Sequence, residues 1–278
     1  MTTTLGTVAA LRRHPVKSML GEEVTAADVS PRGIAGDRVR ALVDRETGKI
    51  ASAKNPRLWR ALLTMSATLR NGTVQITLPD GTTVADEEAG TDEALSAFLG
   101  RAVTLTGTPP SAATLDRSVP EEVLAAGVTA EVGAEEITIG LGAPPGGFVD
   151  FAPVHLIGTA TLAAIGAASP HGVVEPARYR PNLIIETAGP AYGENGWKGR
   201  ELAIGDEVVL RGLFPTPRCA VPTLEHGDLP RDPDALRVPA RDNRMEPLEG
   251  LGPSACAGAY AEVVRPGRVR QGDTVSLL

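Results

Sequence analysis

Alternating apolar and polar positions run through most of this chain and predict short β-strands. Residues 73–78 alternate valine, isoleucine and leucine with polar neighbours, which is the two-residue period of a half-buried strand. Asp80-Gly81 follows and has the composition of a hairpin turn. Further apolar runs that predict strands lie at residues 7–13, 39–44, 62–69, 82–85, 102–107 and 183–187.

Helical periodicity is confined to two segments. Asp92–Leu99 predicts one short helix with Thr91 as its N-cap, and His155–Ala168 predicts a second that begins in earnest at Thr159. A Gly-Asp turn that feeds an alternating strand occurs twice, within residues 204–210 and 271–277. We therefore predict a mostly β protein with few helices (α+β) that is built from β-barrels.

A compositional change near the middle of the chain indicates two domains. Thr108–Glu131 is rich in proline, serine, threonine and alanine and has little periodicity. We place the junction there and predict a strand-rich N-terminal domain at residues 1–115 and a second domain at residues 116–278.

The overall charge narrows the range of partners. With 27 basic and 34 acidic residues the formal charge is −7, which argues against general affinity for nucleic acid or anionic membranes. The opening residues lack the basic and apolar regions of a signal peptide, and no apolar stretch is long enough to span a bilayer. We expect a cytoplasmic protein, and the abundance of Ala, Gly, Pro and Arg suggests a bacterial source.

Cys219 is the strongest candidate for chemistry. The chain has two cysteines, too few for a disulfide framework or a four-thiolate metal site. Cys219 directly follows Arg218 within residues 213–223, whose three prolines predict a stiff loop; the arginine favours the reactive thiolate. The alternative is that Cys219 is a small core residue, which is how we interpret Cys256.

Two basic segments offer donors for an anionic ligand. His14–Ser18 and Gly36–Arg38 contain the first, and Arg178–Asn182 contains the second. Lysine supplies a point charge, arginine a planar fork, and serine and asparagine neutral donors, as a phosphate or pterin requires. The alternative is a solvated cluster of ion pairs.

Other motifs do not support a site. Gly140–Gly147 has the wrong spacing and two prolines for a dinucleotide loop, and residues 252–256 lack the second glycine of a serine-hydrolase elbow. The four histidines are far apart in sequence, so we predict no histidine metal site and expect each to be a surface or cap residue. They are His14, His155, His171 and His226.

The chain resembles the MOSC (molybdenum cofactor sulfurase C-terminal) family over nearly its whole length. His14–Ser18, Gly33–Arg38 and Ser52–Leu58 resemble the β-barrel domain that precedes MOSC domains. The segments that resemble the MOSC domain itself are Arg180-Pro181-Asn182, Trp197, residues 204–206, Pro217-Arg218-Cys219 and residues 272–277.

This resemblance implies a molybdenum–pyranopterin cofactor with Cys219 as the metal ligand and catalytic residue. The residues that it implies for binding the cofactor are Lys17, Ser18, Arg38, Arg180, Asn182 and Arg218. It further implies an oxidoreductase that reduces small N-hydroxylated substrates at the N–O bond. Electrons would come from a separate protein, a ferredoxin or a flavin reductase. Asp37, Glu225 and His226 are candidate proton donors by type alone.

Two departures and two alternatives qualify this expectation. Pro217 stands where amidoxime-reducing members have serine, which removes a hydroxyl near the metal. Residues 224–230 also differ, which leads us to expect an altered substrate entrance and a different choice of substrate. One alternative is a sulfur carrier or transferase with a persulfide on Cys219. The other is a non-catalytic β-barrel that only binds the cofactor or a protein.

Overall fold

Strands make up most of the computed structural model, which describes residues 2–278. The strands that precede residue 110 are β1 (Thr3–Arg13), β2 (Glu22–Val24), β3 (Ala26–Ser30), β4 (Gly33–Ile34), β5 (Ala41–Asp44), β6 (Ser66–Arg70), β7 (Thr73–Thr77), β8 (Thr83–Ala85) and β9 (Val103–Thr106). The later strands are β10 (Thr114–Ser118), β11 (Ala134–Thr138), β12 (Val154–Gly158), β13 (Leu183–Thr187), β14 (Glu201–Ile204), β15 (Val208–Pro217), β16 (Arg244–Met245), β17 (Ser254–Arg265), β18 (Gly267–Arg270) and β19 (Thr274–Leu277).

Helices are few and short. The α-helices of the described residues are α1 (Pro56–Trp59), α2 (Thr91–Leu99), α3 (Pro120–Ala126), α4 (Thr159–Ala168) and α5 (Asp234–Asp242). Single 3-10 turns lie at Arg60–Thr64, Pro176–Tyr179, Gly193–Trp197 and Val221–Thr223. None of the helices in residues 2–278 combines the length and apolar character that crossing a bilayer requires. The predicted mostly β fold is confirmed.

Seven strands close into one barrel. Hydrogen bonding runs in the order β12, β13, β1, β19, β14, β15 and β17, and β17 pairs with β12 to complete the circuit. Only the β12–β13 pair is parallel. Alternate side chains of these strands point inward, as barrel closure demands, and form an aliphatic core that includes Val8, Leu156 and Leu210.

A second core lies under smaller sheets formed by residues 16–106. Strands β6, β7 and β8 form an antiparallel sheet, β5 pairs with β9, and α2 packs beside β9. The core contains Leu62, Ile76 and Leu95, all fully buried. The Asp80-Gly81 turn between β7 and β8 was predicted from sequence: Gly81 adopts a φ of 88°, and Asp80 Oδ1 accepts from the backbone N–H of Thr82.

Two predicted elements differ from the observed ones. Residues 60–64 form a 3-10 turn rather than the start of a strand, and β6 begins at Ser66. The helix predicted for His155–Ala168 begins at Thr159, and the residues before it form β12. All five residues of β12, Val-His-Leu-Ile-Gly, are buried, so the strand lacks the apolar–polar alternation of a half-buried strand. Without that alternation, the sequence pattern alone does not distinguish a strand from a helix.

The expected junction contains regular structure. Within Thr108–Glu131 lie β10 and α3, and β10 pairs with β11 in a separate two-stranded sheet. The predicted boundary between residues 115 and 116 falls inside β10 and stays a prediction. Because β1 pairs with both β13 and β19, the N-terminal strand completes the barrel formed by later strands.

Candidate active site

A cavity of about 350 Å³, the first cavity, collects side chains from both parts of the chain. Its lining comes from the loops after β1 and β4, the residues before α1, the β10–β11 sheet, and strands β12, β15 and β17. The segments that lead into β12 and β13 contribute as well. All seven predicted site residues line this cavity: Lys17, Ser18, Arg38, Arg180, Asn182, Arg218 and Cys219. The structure thus brings together residues that are up to two hundred positions apart.

Cys219 lies on a loop as predicted, but Pro215 and Pro217 belong to strand β15, so the loop is shorter than the prolines indicated. Strand β15 ends at Pro217, and Arg218 and Cys219 follow it in an irregular conformation. The Cys219 side chain packs on one side in an aliphatic cluster with Leu63 and Leu224. With 9% of the residue exposed, it also lines the cavity beside the cations. The thiol is therefore partly covered by apolar groups and partly available to a ligand.

Lys17 and Asp150 form an ion pair at the cavity wall. Lys17 Nζ donates to Asp150 Oδ1 at 2.6 Å and to the Phe148 carbonyl at 2.8 Å. Lys54 Nζ approaches the same carboxylate oxygen at 3.2 Å. Burial lowers the pKa of Lys17 to about 8 despite the nearby carboxylate. Although burial opposes it, Lys17 and Lys54 hold the pKa of Asp150 well below its ordinary value.

Arg38 is fixed by a buried carboxylate. Its guanidinium contacts Asp37, and its Nη2 donates to the carbonyl of Arg180 at 3.2 Å. Asp37 also accepts from the backbone N–H of His14 at 2.6 Å. Burial opposes ionisation of Asp37, but Arg38 and His14 overcome this and depress the pKa of its carboxyl group. Asp37 is thereby an anchor for Arg38.

Arg180 and Arg218 have hydrogen-bonding groups to spare. Arg180 Nη1 donates to the Met19 carbonyl at 2.6 Å, and Arg218 Nη2 donates to the Tyr179 carbonyl at 3.0 Å. Arg180 Nη2 and Arg218 Nε are buried without a protein partner. Burial, followed by the charge of Arg38, lowers the pKa of Arg180 to about 9. Because an unpaired buried donor is costly, the two guanidinium groups are suited to an anionic ligand.

Ser18 and Asn182 mainly hold the walls in place. Ser18 Oγ accepts from the backbone N–H of Ala53 at 3.1 Å. Asn182 Oδ1 accepts from His155 N at 3.0 Å, and its Nδ2 donates to the Arg12 carbonyl at 3.3 Å. The polar atoms of Asn182 are thus already engaged with backbone, which ties β1, β12 and β13 together.

Three cavity residues adopt left-handed backbone conformations. Ser18, Arg38 and Arg180 have φ values of 64°, 48° and 54°. Outside glycine this conformation is uncommon and costs on the order of 1 kcal/mol per residue. Strained residues of this kind gather where the surrounding structure holds side chains in place for a ligand.

An aromatic wall faces the cations. The rings of Phe151 and Phe214 meet edge-on at 4.9 Å, and Tyr260 packs against both at 6.2 and 5.6 Å. Burial, followed by the charge of Asp150, raises the pKa of Tyr260 above its ordinary value, so its hydroxyl stays protonated. The cavity therefore has one apolar side and one cationic side.

The expectation that every histidine is a surface or cap residue is wrong for three of the four. His14, His155 and His226 are buried, whereas His171 is exposed. Burial, followed by the charge of Arg218, lowers the pKa of His155 well below its ordinary value. Neutral histidines pack more easily than charged ones, and that explains their burial. No group of three or more His, Cys, Asp or Glu side chains in residues 2–278 is arranged to hold a metal ion.

The three proposed proton donors do not lie in the first cavity. Asp37, Glu225 and His226 are all absent from its lining. None of residues 224–230 lines the first cavity, and the altered substrate entrance expected there stays a prediction. Arg178 donates to the carbonyls of Leu224 and Pro230 and so fixes both ends of this segment.

Several residues of the cavity were missed in the sequence. Lys54 stands inside the Ser52–Leu58 motif and had a signal, as a cation within a family motif. Asp150, Tyr260 and Arg117 had none, because each reaches the cavity only through tertiary packing.

Family models match both parts of the chain. The MOSC N-terminal beta barrel domain matches residues 5–109, and the MOSC domain matches residues 145–276. The chain belongs to the MOSC-domain family. Residues 110–144 lie between the two matches and supply Arg117, Ile137 and Leu141 to the first cavity.

Two curated proteins that are similar to this chain are both named mitochondrial amidoxime-reducing component 1. The chain is 25% identical to human mitochondrial amidoxime-reducing component 1 over 319 residues, which covers 99% of this chain and 83% of the relative. It is 34% identical to the mouse protein of the same name over 119 residues, which covers 38% of this chain and 31% of the relative. This distant similarity suggests an oxidoreductase.

Solved structures with partial similarity include two bacterial proteins. The match to the YUAD protein from Bacillus subtilis covers 100% of this chain and 96% of the YUAD chain, with a TM-score of 0.43 and 11% identity. The match to YiiM from Geobacillus stearothermophilus covers 52% of this chain and 67% of the YiiM chain, with a TM-score of 0.35 and 12% identity.

Proposed function

We propose that this MOSC protein is a molybdenum-cofactor-dependent reductase of N-hydroxylated compounds that receives electrons from a separate protein. The observation that carries the proposal is the convergence of Cys219 with six cations on the first cavity, which are Lys17, Arg38, Lys54, Arg117, Arg180 and Arg218. Similarity to the amidoxime-reducing relatives supports the reaction class.

The residues of the first cavity fit a phosphorylated pterin that carries a thiolate-binding metal. Thiolate is a soft ligand that suits such a metal, and Cys219 would supply it. Arg180 and Arg218 would direct their unpaired N–H groups at the anionic part of the cofactor. Lys17 and Arg38 add positive charge, and Ser18 and Asn182 fix the loops. When bound, the molybdenum–pterin group supplies the two-electron reduction.

The other lining residues would manage the substrate and its protons. The ring faces of Phe151, Phe214 and Tyr260 offer a flat apolar substrate a surface on which to lie. Reduction of the N–O bond takes up two electrons and two protons, and it releases water and the amine or amidine. Lys17 is suited to deliver a proton, because its lowered pKa of about 8 lies near neutrality.

Metal and pterin analysis of protein from a molybdenum-replete host tests the proposal. Wild type should contain both, and it should reduce benzamidoxime with dithionite-reduced viologen. Cys219→Ala should lose at least 90% of turnover and most of its molybdenum. Cys256→Ala is the matched control, because Cys256 is fully buried outside the first cavity and burial raises its pKa to about 11.

Three results would contradict the proposal. Wild type with neither molybdenum nor pterin would overturn it. A sulfur adduct on the intact mass that disappears in Cys219→Ser, without molybdenum, would favour the sulfur carrier. Stoichiometric pterin with no turnover from any donor would favour a binding protein.

A further inference from the structure

A second cavity of about 400 Å³ opens on a different set of elements. We refer to it as the second cavity; its floor is apolar and includes Leu58, Leu99, Val128 and Leu224. Three arginines, Arg57, Arg60 and Arg231, surround this floor and are exposed to solvent. An apolar centre with a charged rim is the usual composition of a protein–protein contact.

The rim arginines are available to a partner. Arg231 forms no side-chain hydrogen bond or ion pair within residues 2–278, and Arg60 uses one nitrogen on the carbonyls of Pro56 and Arg57. Arg57 meets Glu131 at 3.3 Å, but both side chains are exposed, at 48% and 81%. Such a pair contributes little and exchanges readily.

The charge of this rim differs from that of the whole protein. Glu225 is the only acidic residue among those lining the second cavity, whereas the chain as a whole carries −7. An acidic partner would be repelled by most of the surface and attracted to this rim. Local charge of this kind orients encounters and raises association rates.

The floor of the second cavity reaches the thiol through one apolar cluster. Leu224 and Val128 line the cavity and pack in the same hydrophobic cluster as Cys219, together with Leu63 and Val221. Electron tunnelling rates fall steeply with distance, so a donor must dock close to its acceptor. The second cavity shares no lining residue with the first, so a donor can contact its rim without contacting the residues of the first cavity.

We propose that the second cavity is the docking site for a small acidic protein with a one-electron centre, of the [2Fe–2S] ferredoxin class. The inference rests on the proposed function and adds the location and charge of the donor site. Two successive transfers from two reduced ferredoxins would provide the two electrons that N–O reduction consumes. Redox encounters of this type are small and transient, which suits a rim of three cations.

Charge reversal at the rim tests the docking site in the full-length holoenzyme. Arg60→Glu/Arg231→Glu is compared with Arg32→Glu/Arg237→Glu, which makes the same change in net charge at exposed arginines outside both cavities. Each variant is assayed with dithionite-reduced viologen and with a reduced plant-type [2Fe–2S] ferredoxin at low and high NaCl.

We expect the rim variant to lose at least tenfold in kcat/KM with ferredoxin at low salt. Its rate with viologen should stay within twofold of the control variant. Salt should slow the ferredoxin reaction of wild type and have little effect on that of the rim variant. Equal losses with both donors, or an unchanged ferredoxin rate, would overturn the docking site.

Direct binding separates this inference from the proposed function. Oxidised ferredoxin is titrated into wild type and both variants by calorimetry. Weaker binding by the rim variant alone supports the docking site even if no substrate is turned over. Failure of wild type to bind ferredoxin, or equal binding by all three proteins, would refute it. Absence of turnover with viologen would count only against the proposed function.

Discussion

The two cavities use basic residues in opposite ways. Around the first, Lys17, Arg38 and Arg180 are mostly buried, and backbone carbonyls or carboxylates fix their positions. Around the second, Arg60 and Arg231 extend into solvent with few partners. Buried cations suit recognition of one ligand in one geometry, whereas exposed cations act over distance and are screened by salt.

This difference has an energetic consequence. Removing one partner of a buried ion pair leaves a charge without compensation, while exposed pairs contribute about 0–1 kcal/mol. Substitutions at the first cavity should therefore change stability, and substitutions at the second should change association alone. Three measurements of the free energy of unfolding test this division, and a fourth tests a buried histidine outside both cavities.

Asp150→Ala should have the largest effect. It leaves the Lys17 ammonium buried without its carboxylate, and we expect a loss of about 3 kcal/mol. Urea unfolding measures the change. The control is Asp28→Ala, which breaks an exposed pair with Arg268 and should cost less than about 1 kcal/mol. Similar losses in both variants would remove the distinction between the cavities.

Asn182→Ala should cost about 2 kcal/mol. The substitution leaves the backbone N–H of His155 without the Asn182 acceptor in a buried position and removes the bond to the Arg12 carbonyl. Gln75→Ala, on an exposed strand position, is the control and should stay within about 0.5 kcal/mol. If Asn182→Ala loses pterin but no stability, the side chain is a ligand rather than a support.

The pH dependence of stability should show the buried histidines. Burial lowers the pKa of His226 to about 4 from 6.5, so between these values the unfolded chain binds a proton that the folded chain excludes. The stability that neutral His226 contributes should thus be fully present above pH 6.5 and fall by about 1.4 kcal/mol per pH unit as the pH drops towards 4, and His14 and His155 add losses of the same sign.

Two substitutions isolate that contribution. His226→Asn keeps a donor near the Leu224 carbonyl and should reduce the slope by about 1.4 kcal/mol per pH unit, with His14 and His155 accounting for the slope that remains, as measured by urea unfolding between pH 7.5 and 4.5. His171→Asn, at an exposed position, should leave the dependence of wild type intact. The same slope in both variants would contradict the assignment.

Arg60→Ala at the second cavity should have the smallest effect. The side chain is exposed and binds only the carbonyls of its own helical turn, so the free energy of unfolding should change by less than about 0.5 kcal/mol. Urea unfolding at low and high salt measures this. A loss above 1.5 kcal/mol would show that the rim is structural.

The sequence predicted residues of the first cavity where local chemistry was distinctive. Cys219 stood out because prolines surround it and an arginine precedes it. Arg180 stood out because a proline follows it directly before a predicted strand. Both line the cavity. Asp150 could not be found, because it meets Lys17 only when segments more than 130 positions apart fold together.

The predictions for the histidines and for β12 were wrong for the same physical reason. Their environment is decided by partners distant in sequence, and residue type alone says little about burial. His155 lies in a strand that is buried because β13 and β17 flank it on either side. A continuous apolar run is compatible with a strand or a helix, and only the neighbouring strands decide between them.

The pairing of β1 with β19 places Thr3 opposite Leu277, so the barrel is sealed by segments from the two extremes of the chain. During synthesis on the ribosome, β1 would emerge long before its neighbour exists. The core beneath β6 and β7 draws on residues 16–103 and can assemble much earlier. We therefore expect folding to proceed in two stages. The core under β6 and β7 forms first, and the pairing of β1 with β19 forms last, at a rate limited by the long chain segment between these strands.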